Sequence, residues 1–233
     1  MKIYYVLKVF LEKIIGRKLY IKASVLVNGY TVYWKAFDNH KCIFIHVPKT
    51  AGTSVGEAIF GNGRTGHFGW EIYRACSKKK FDDYFKFAFV RNPYDRVVSS
   101  FYYLSQGGKS EADKKFFEEY LSGAKDFEDF VMNYLGSPVV MSWGHFRPQA
   151  DYLVDYSSGK VMVDWLGRLE SINEDFAFLR EKFNCLDIEV KNKSQRNDFR
   201  TYYSENPAIA EKIHEIYAKD FEYFGYEKNS FGC

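Results

Sequence analysis

The sequence predicts an α/β protein, a parallel sheet with helices on both faces. Residues 41–46 (KCIFIH) and 85–90 (FKFAFV) have the length and composition of buried strands. Each run passes through a short loop into a segment with helical start signals, and a third strand is expected at 161–166. Strands that alternate with helices pair in parallel, because the intervening helix carries the chain back across the sheet.

The elements follow in chain order. Ile3, Leu7, Phe10 and Ile14 share one helical face, and lysines occupy other positions. Residues 3–11 are apolar but too short to span a bilayer, which needs about 20 residues. They read as a helix docked on its own domain or lying on a membrane surface. Residues 20–36 are β-rich around Asn28-Gly29, a dipeptide favoured in type I′ turns, and predict an N-terminal β-hairpin. Residues 1–40 are therefore an extension of helix and hairpin, and residues 41–233 the main domain.

Within the main domain, a helix is expected at 55–60 with Gly61 as its stop, and another at 71–80. Asn92-Pro93 opens a helix through Leu104, with Asn92 as cap and Pro93 at the first helical position. Asp126 caps a helix carrying Phe127, Phe130, Val131 and Tyr134. Ser171 and Glu174 have capping-box spacing ahead of Phe176, Leu179 and Phe183. A last helix starts near Asn206-Pro207, turns Ile209, Ile213 and Ile216 inward, and precedes Gly225.

Composition narrows the function. A net charge of +3 across 233 residues lacks the basic excess of a nucleic-acid binder. Cys42, Cys76, Cys185 and Cys233 form no metal-ligand spacing and read as reduced thiols without zinc. With no secretory signal, the expected location is cytoplasmic, with peripheral membrane contact through residues 1–15 as the alternative.

Two strand-to-helix turns carry the chemistry. Residues 44–54, FIHVPKTAGTS, place a glycine, three hydroxyls and a lysine where backbone N–H groups and a helix N-terminus converge. Pro48, Lys49, Thr50, Ala51, Gly52, Thr53 and Ser54 are the candidate anion-binding residues, with Gly52 allowing close backbone approach. The loop is P-loop-like but lacks the Gly-Lys-Ser/Thr of the Walker pattern, and no acidic metal ligand stands out. Residues 87–103, FAFVRNPYDRVVSSFYY, put Arg91 at a strand's carboxyl end and Ser99 about two turns into the helix. A guanidinium fork suits phosphate oxygens. The alternative for Arg91 is a salt bridge to Asp95, and Arg96 is a second nearby cation.

The two segments resemble the 5′-phosphosulfate loop and the 3′-phosphate segment of sulfotransferases that use 3′-phosphoadenosine-5′-phosphosulfate (PAPS). The flavour is that of the carbohydrate enzymes, the branch with heparan/uronyl 2-O-sulfotransferases and the chondroitin and HNK-1 enzymes. The resemblance spans roughly residues 41–226, with weaker echoes at 145–149 (HFRPQ), 167–170 (GRLE), 192–194 (NKS) and 220–226 (DFEYFGY).

It implies transfer of a sulfuryl group from PAPS to a hydroxyl, sugar favoured, leaving 3′-phosphoadenosine-5′-phosphate and requiring no metal. Lys49 and the loop would hold the 5′-phosphate and the bridging oxygen, and Arg91 and Ser99 the 3′-phosphate. His67, in the TGHFGW segment between the motifs, takes the place of the branch's general base, with His145 as runner-up. His145, Arg147 and Gln149 are acceptor-side candidates, and the NKS segment lies on the adenosine side. Histidine suits the base because its ordinary pKa lies near neutrality. The partner implied is a small-molecule or glycan acceptor. Competing readings are a metal-dependent nucleotide kinase and a non-catalytic, membrane-peripheral module with a degenerate cofactor site.

Overall fold

A computed structural model of the chain describes residues 16–29, 32–62, 65–189 and 196–231. The N-terminal stripe of residues 3–14 and the NKS segment lie outside them. The described residues fall into two compact units, one drawn from Met1–Val90 and Gln149–Lys191, the other from Arg91–Pro148 and Asn192–Cys233.

The first unit holds a three-stranded parallel sheet in the order β1-β2-β5, flanked by helices. β1 is Cys42–Phe44, β2 is Phe85–Val90 and β5 is Trp165–Arg168. Cys42 pairs with Phe85, and Phe87 with Trp165. Both β1 and the second half of β2 are buried throughout, as expected of a strand covered on both faces. Phe44 and Phe87 stack at 5.0 Å, and Phe89 meets Trp165 edge-on at 5.3 Å. A two-residue antiparallel pair, β3 (Val154–Asp155) with β4 (Lys160–Val161), sits outside this sheet.

Three expectations for this unit need correction. The hairpin at 20–36 is instead a helix, Arg17–Asn28, followed by a second helix, Lys35–His40. Asn28-Gly29 ends the first of them: Gly29 is left-handed at φ 56° and its N–H bonds to Val25 O. The third strand of the main sheet lies at 165–168 rather than 161–166, because Asp164 brackets Lys86. Its N–H donates to Lys86 O at 2.8 Å, and its carboxylate accepts from Lys86 N at 2.7 Å. Finally, Ser171 caps nothing with its side chain, and its hydroxyl donates to Asp175 at 2.9 Å.

The helix at 71–80 is broken at Ser77 into Trp70–Cys76 and Lys78–Asp83, with Ser77 capping the second piece. The segment after Val32 packs into this unit. Phe37 is fully buried against Phe60, and the Tyr33 hydroxyl donates to Tyr73 O at 2.9 Å.

The second unit is helical. Asn92 and Pro93 open the helix Pro93–Ser105 as expected, with the Asn92 side chain accepting from Tyr94 N. Its inner face, Val97, Val98, Phe101 and Leu104, meets Phe127, Phe130, Tyr203 and Ile213 in an apolar core. Asp126 caps Phe127–Asn133. The last helix is interrupted at Tyr217, giving Pro207–Ile216 and Ala218–Phe224 before left-handed Gly225. The helix Glu111–Tyr120, capped by Ser110, was not expected from the sequence.

Candidate functional site

In the first unit the loop between β1 and the helix Gly52–Phe60 has an unusual backbone. Lys49 and Ala51 are both left-handed, at φ 71° and 61°, although neither is glycine. Such a conformation costs about 1 kcal/mol or more per L-residue. Left-handed residues thus stand on both sides of Thr50 in the turn that leads into the helix. The helix start adds its positive end.

Thr50 is buried and its hydroxyl donates to Val47 O at 2.8 Å, so its proton braces the loop. Pro48, Gly52 and Ser54 are buried, whereas Lys49, Ala51 and Thr53 are partly exposed.

The role expected of Gly52 changes. A Cβ built on Gly52 would lie 1.9 Å from both Cδ2 and Nε2 of His46. The space a side chain would need is filled by an imidazole. Gly52 is therefore required by the packing of His46, whatever else approaches its backbone.

His46 ends the strand run and is buried. Its ring stacks on Phe44 at 5.4 Å, and Nδ1 lies 2.6 Å from the buried Thr65 hydroxyl. His67 lies next to it, with ring centroids 4.2 Å apart. His67 is exposed, and its Nδ1 is 3.1 Å from His46 O. A carbonyl only accepts, so Nδ1 carries the proton and the lone pair of the neutral ring sits on Nε2. The His46 carbonyl, just beyond β1, thus holds both the orientation and the tautomer of an exposed imidazole. Gln149, an acceptor-side candidate, is fully buried in this unit at the start of the helix Ala150–Leu153.

In the second unit Arg91 makes the salt bridge that the sequence left as an alternative. Its Nε and Nη2 lie 2.8 and 2.7 Å from Asp95 Oδ2. Arg196 grips the other oxygen of the same carboxylate. All three side chains are largely buried, with 12–15% exposure. One carboxylate thus accepts from two guanidiniums in a poorly solvated place, where such charge-assisted bonds are strong. Ser99, also buried, lies one turn beyond Asp95 on the same helix face. Arg196 was missed by the sequence reading. It lies just beyond the NKS segment in no motif of its own, and only folding brings it to Asp95.

Arg96 is not a second ligand-facing cation. It is 1% exposed, and its Nη2 donates to Arg147 O at 2.9 Å and Gly144 O at 3.4 Å. Ser100 donates to His145 O at 2.9 Å, and Tyr217 to Phe146 O at 2.6 Å. Four consecutive carbonyls, 144–147, are each met by a side-chain donor. Phe146 is buried and its neighbours are half-buried, and a stretch without regular structure satisfies its shielded carbonyls in this way.

The His145 ring stacks on Tyr103 at 4.9 Å, with Nδ1 3.7 Å from Asp113 Oδ1. Asp113 is buried and accepts from Tyr103 at 3.0 Å and Ser110 at 2.8 Å. Burial first, then the neighbouring Asp113 charge, pushes the Tyr103 phenol up to about 12.

The three-stranded parallel sheet flanked by helices is consistent with a sulfotransferase fold. The chain belongs to the sulfotransferase family, whose sequence profile matches residues 34–227. It is 25% identical over 188 residues to carbohydrate sulfotransferase 12 of Xenopus laevis, covering 68% of this chain and 45% of that protein. It is also 30% identical over 131 residues to an uncharacterised protein of Archaeoglobus fulgidus, covering 55% of this chain and 93% of that one. The chain thus spans under half the length of its Xenopus relative. No solved structure matches. Among the described residues no helix is long and apolar enough to cross a membrane.

Proposed function

We propose that this chain transfers a sulfuryl group from PAPS to an acceptor hydroxyl, with carbohydrate the favoured acceptor class. The observation that carries the reading is the left-handed backbone of Lys49 and of Ala51 at the start of the helix Gly52–Phe60. It holds an anion without a Walker lysine, and it coincides with the family match.

In this reading Lys49 and the N–H groups of residues 49–54 hold the 5′ end of the donor, and Arg91, Arg196 and Ser99 its 3′-phosphate. PAPS, when bound, supplies the activated sulfuryl group. His67 Nε2 accepts the proton as the acceptor oxygen attacks sulfur. As the bond from sulfur to the bridging oxygen breaks, Lys49 and the loop N–H groups steady the charge that develops on that oxygen. Products are the sulfate ester and 3′-phosphoadenosine-5′-phosphate. General-base help of this kind is worth roughly 10²–10⁴ in rate.

The test is calorimetric binding of 3′-phosphoadenosine-5′-phosphate beside AMP, which lacks the 3′-phosphate, followed by transfer from labelled PAPS to a panel of glycans and small alcohols. The bisphosphate is expected to bind at least tenfold tighter than AMP. His67→Ala is expected to lower turnover at least a hundredfold while leaving that binding unchanged. No binding of the bisphosphate at millimolar concentration refutes the proposal. Full turnover in His67→Ala, with loss in His145→Ala, moves the base to His145.

A further inference from the structure

The helix Arg17–Asn28 is amphipathic in an inverted sense. One side is docked: Ile21 is buried, Tyr20, Ser24 and Val25 are partly buried, and the helix packs on Trp70–Cys76. The other side carries Leu19, Lys22, Ala23, Leu26 and Val27, all exposed, at the i, i+3, i+4, i+7, i+8 positions of a single face. Leu19 is 58% exposed, Leu26 85% and Val27 82%. The other exposed large apolar side chains among the described residues, Met132, Tyr156, Phe178 and Leu186, do not form such a stripe.

Charge says what this face meets. Residues 1–28 contain six lysines and arginines against a single acidic residue, Glu12, whereas the remaining 205 residues contain 27 basic against 29 acidic. An apolar stripe set in a basic segment repels its own copy. Residues 1–15 carry Lys2, Lys8 and Lys13 and so add charge of the same sign.

We infer that the helix Arg17–Asn28 seats this chain on an anionic lipid surface. Leu19, Leu26 and Val27 enter the interface while Lys22 meets the headgroups. Apolar insertion and headgroup attraction act together in such helices, and the electrostatic part weakens as salt shortens the screening length. The inference is independent of the sulfuryl-transfer reading.

The experiment is co-sedimentation of the full chain with phosphatidylcholine vesicles, with and without phosphatidylserine, at about 0.1 M and 0.5 M salt. Light scattering and a thermal melt accompany it. The chain is expected to pellet with the anionic vesicles at low salt and to remain largely in solution with neutral vesicles. The double variant Leu26→Glu/Val27→Glu is expected to lose at least tenfold in vesicle affinity and to melt at the wild-type temperature.

Four results overturn the inference: no pelleting with anionic vesicles; undiminished pelleting of the double variant, which assigns the binding to residues 1–15; a dimer that the double variant dissolves; or a variant that melts several degrees lower, which places the face against the chain itself.

Discussion

Replacing Gly52 by alanine is a direct test of how the loop between β1 and the helix Gly52–Phe60 is built. The added Cβ would lie 1.9 Å from His46 Cδ2 and Nε2 and 2.5 Å from Cε1. Ordinary contact begins near 3.4 Å, so the ring must shift by about 1.5 Å. It has little room to do so. One face stacks on Phe44 at 10° between planes, Nδ1 is held 2.6 Å from Thr65, and the His67 ring is 4.2 Å away. Overpacking of this kind costs about 1–3 kcal/mol, and loss of the Thr65 bond about 1 kcal/mol more. Gly52 is not among the positive-φ residues, so alanine is free of backbone strain and gains up to about 1 kcal/mol of helix propensity. The net expectation is a loss of about 1–3 kcal/mol, or roughly 2–12 °C in melting temperature for a chain of this size. Scanning calorimetry of wild type, Gly52→Ala, His46→Ala and the double variant reads it. The clash needs both partners, so the double variant should be more stable than the sum of the singles by at least about 1 kcal/mol. Additive behaviour, or a Gly52→Ala protein within about 0.5 kcal/mol of wild type, refutes the packing argument.

Thr65→Val keeps the shape of the side chain but takes the hydroxyl from His46 Nδ1, and it should cost about 1–3 kcal/mol in a denaturant titration. Arg96→Met removes the donor shared by Gly144 O and Arg147 O. The two bonds come from a charged, buried group, so the expected loss is about 3–5 kcal/mol, with raised proteolysis at residues 144–148 as the local readout. Burial pushes the Cys42 thiol from its ordinary 9.0 up to about 12, so the folded state keeps it protonated where the unfolded chain ionises. That contribution is intact below pH 9 and is lost as pH rises from 9 toward 12, so Cys42→Ala should flatten the alkaline part of the stability curve. In the native protein at pH 8, Cys42 should resist alkylation that labels it once unfolded, as mass spectrometry would show.

What could be read from the sequence was local. The runs at 41–46 and 85–90 are apolar without alternation, and only a strand covered on both faces tolerates that, so β1 and β2 were legible. Asn92-Pro93 announces a helix start by its own chemistry, a side-chain acceptor followed by a ring with no N–H to satisfy. The order of hydroxyls, glycine and lysine at 48–54 marked the loop that joins β1 to the helix Gly52–Phe60.

The failures have one physical origin, signals that two structures share. Gly29 adopts positive φ in a type I′ turn and equally in a helix C-cap, and Asn28-Gly29 serves the second. The apolar stretch at 161–166 is compatible with several registers, and Asp164 bonding on both sides of Lys86 selects the one at 165–168. The sequence by itself determined the class of sheet, the strand-to-helix turn at 44–54 and the family. Tertiary structure alone decided that Gly52 makes room for His46, that His67 is held by His46 O, and that Arg196 joins Arg91 on Asp95. Those contacts join residues 6, 21 and about 100 positions apart, and no local propensity encodes a partner that only chain folding delivers.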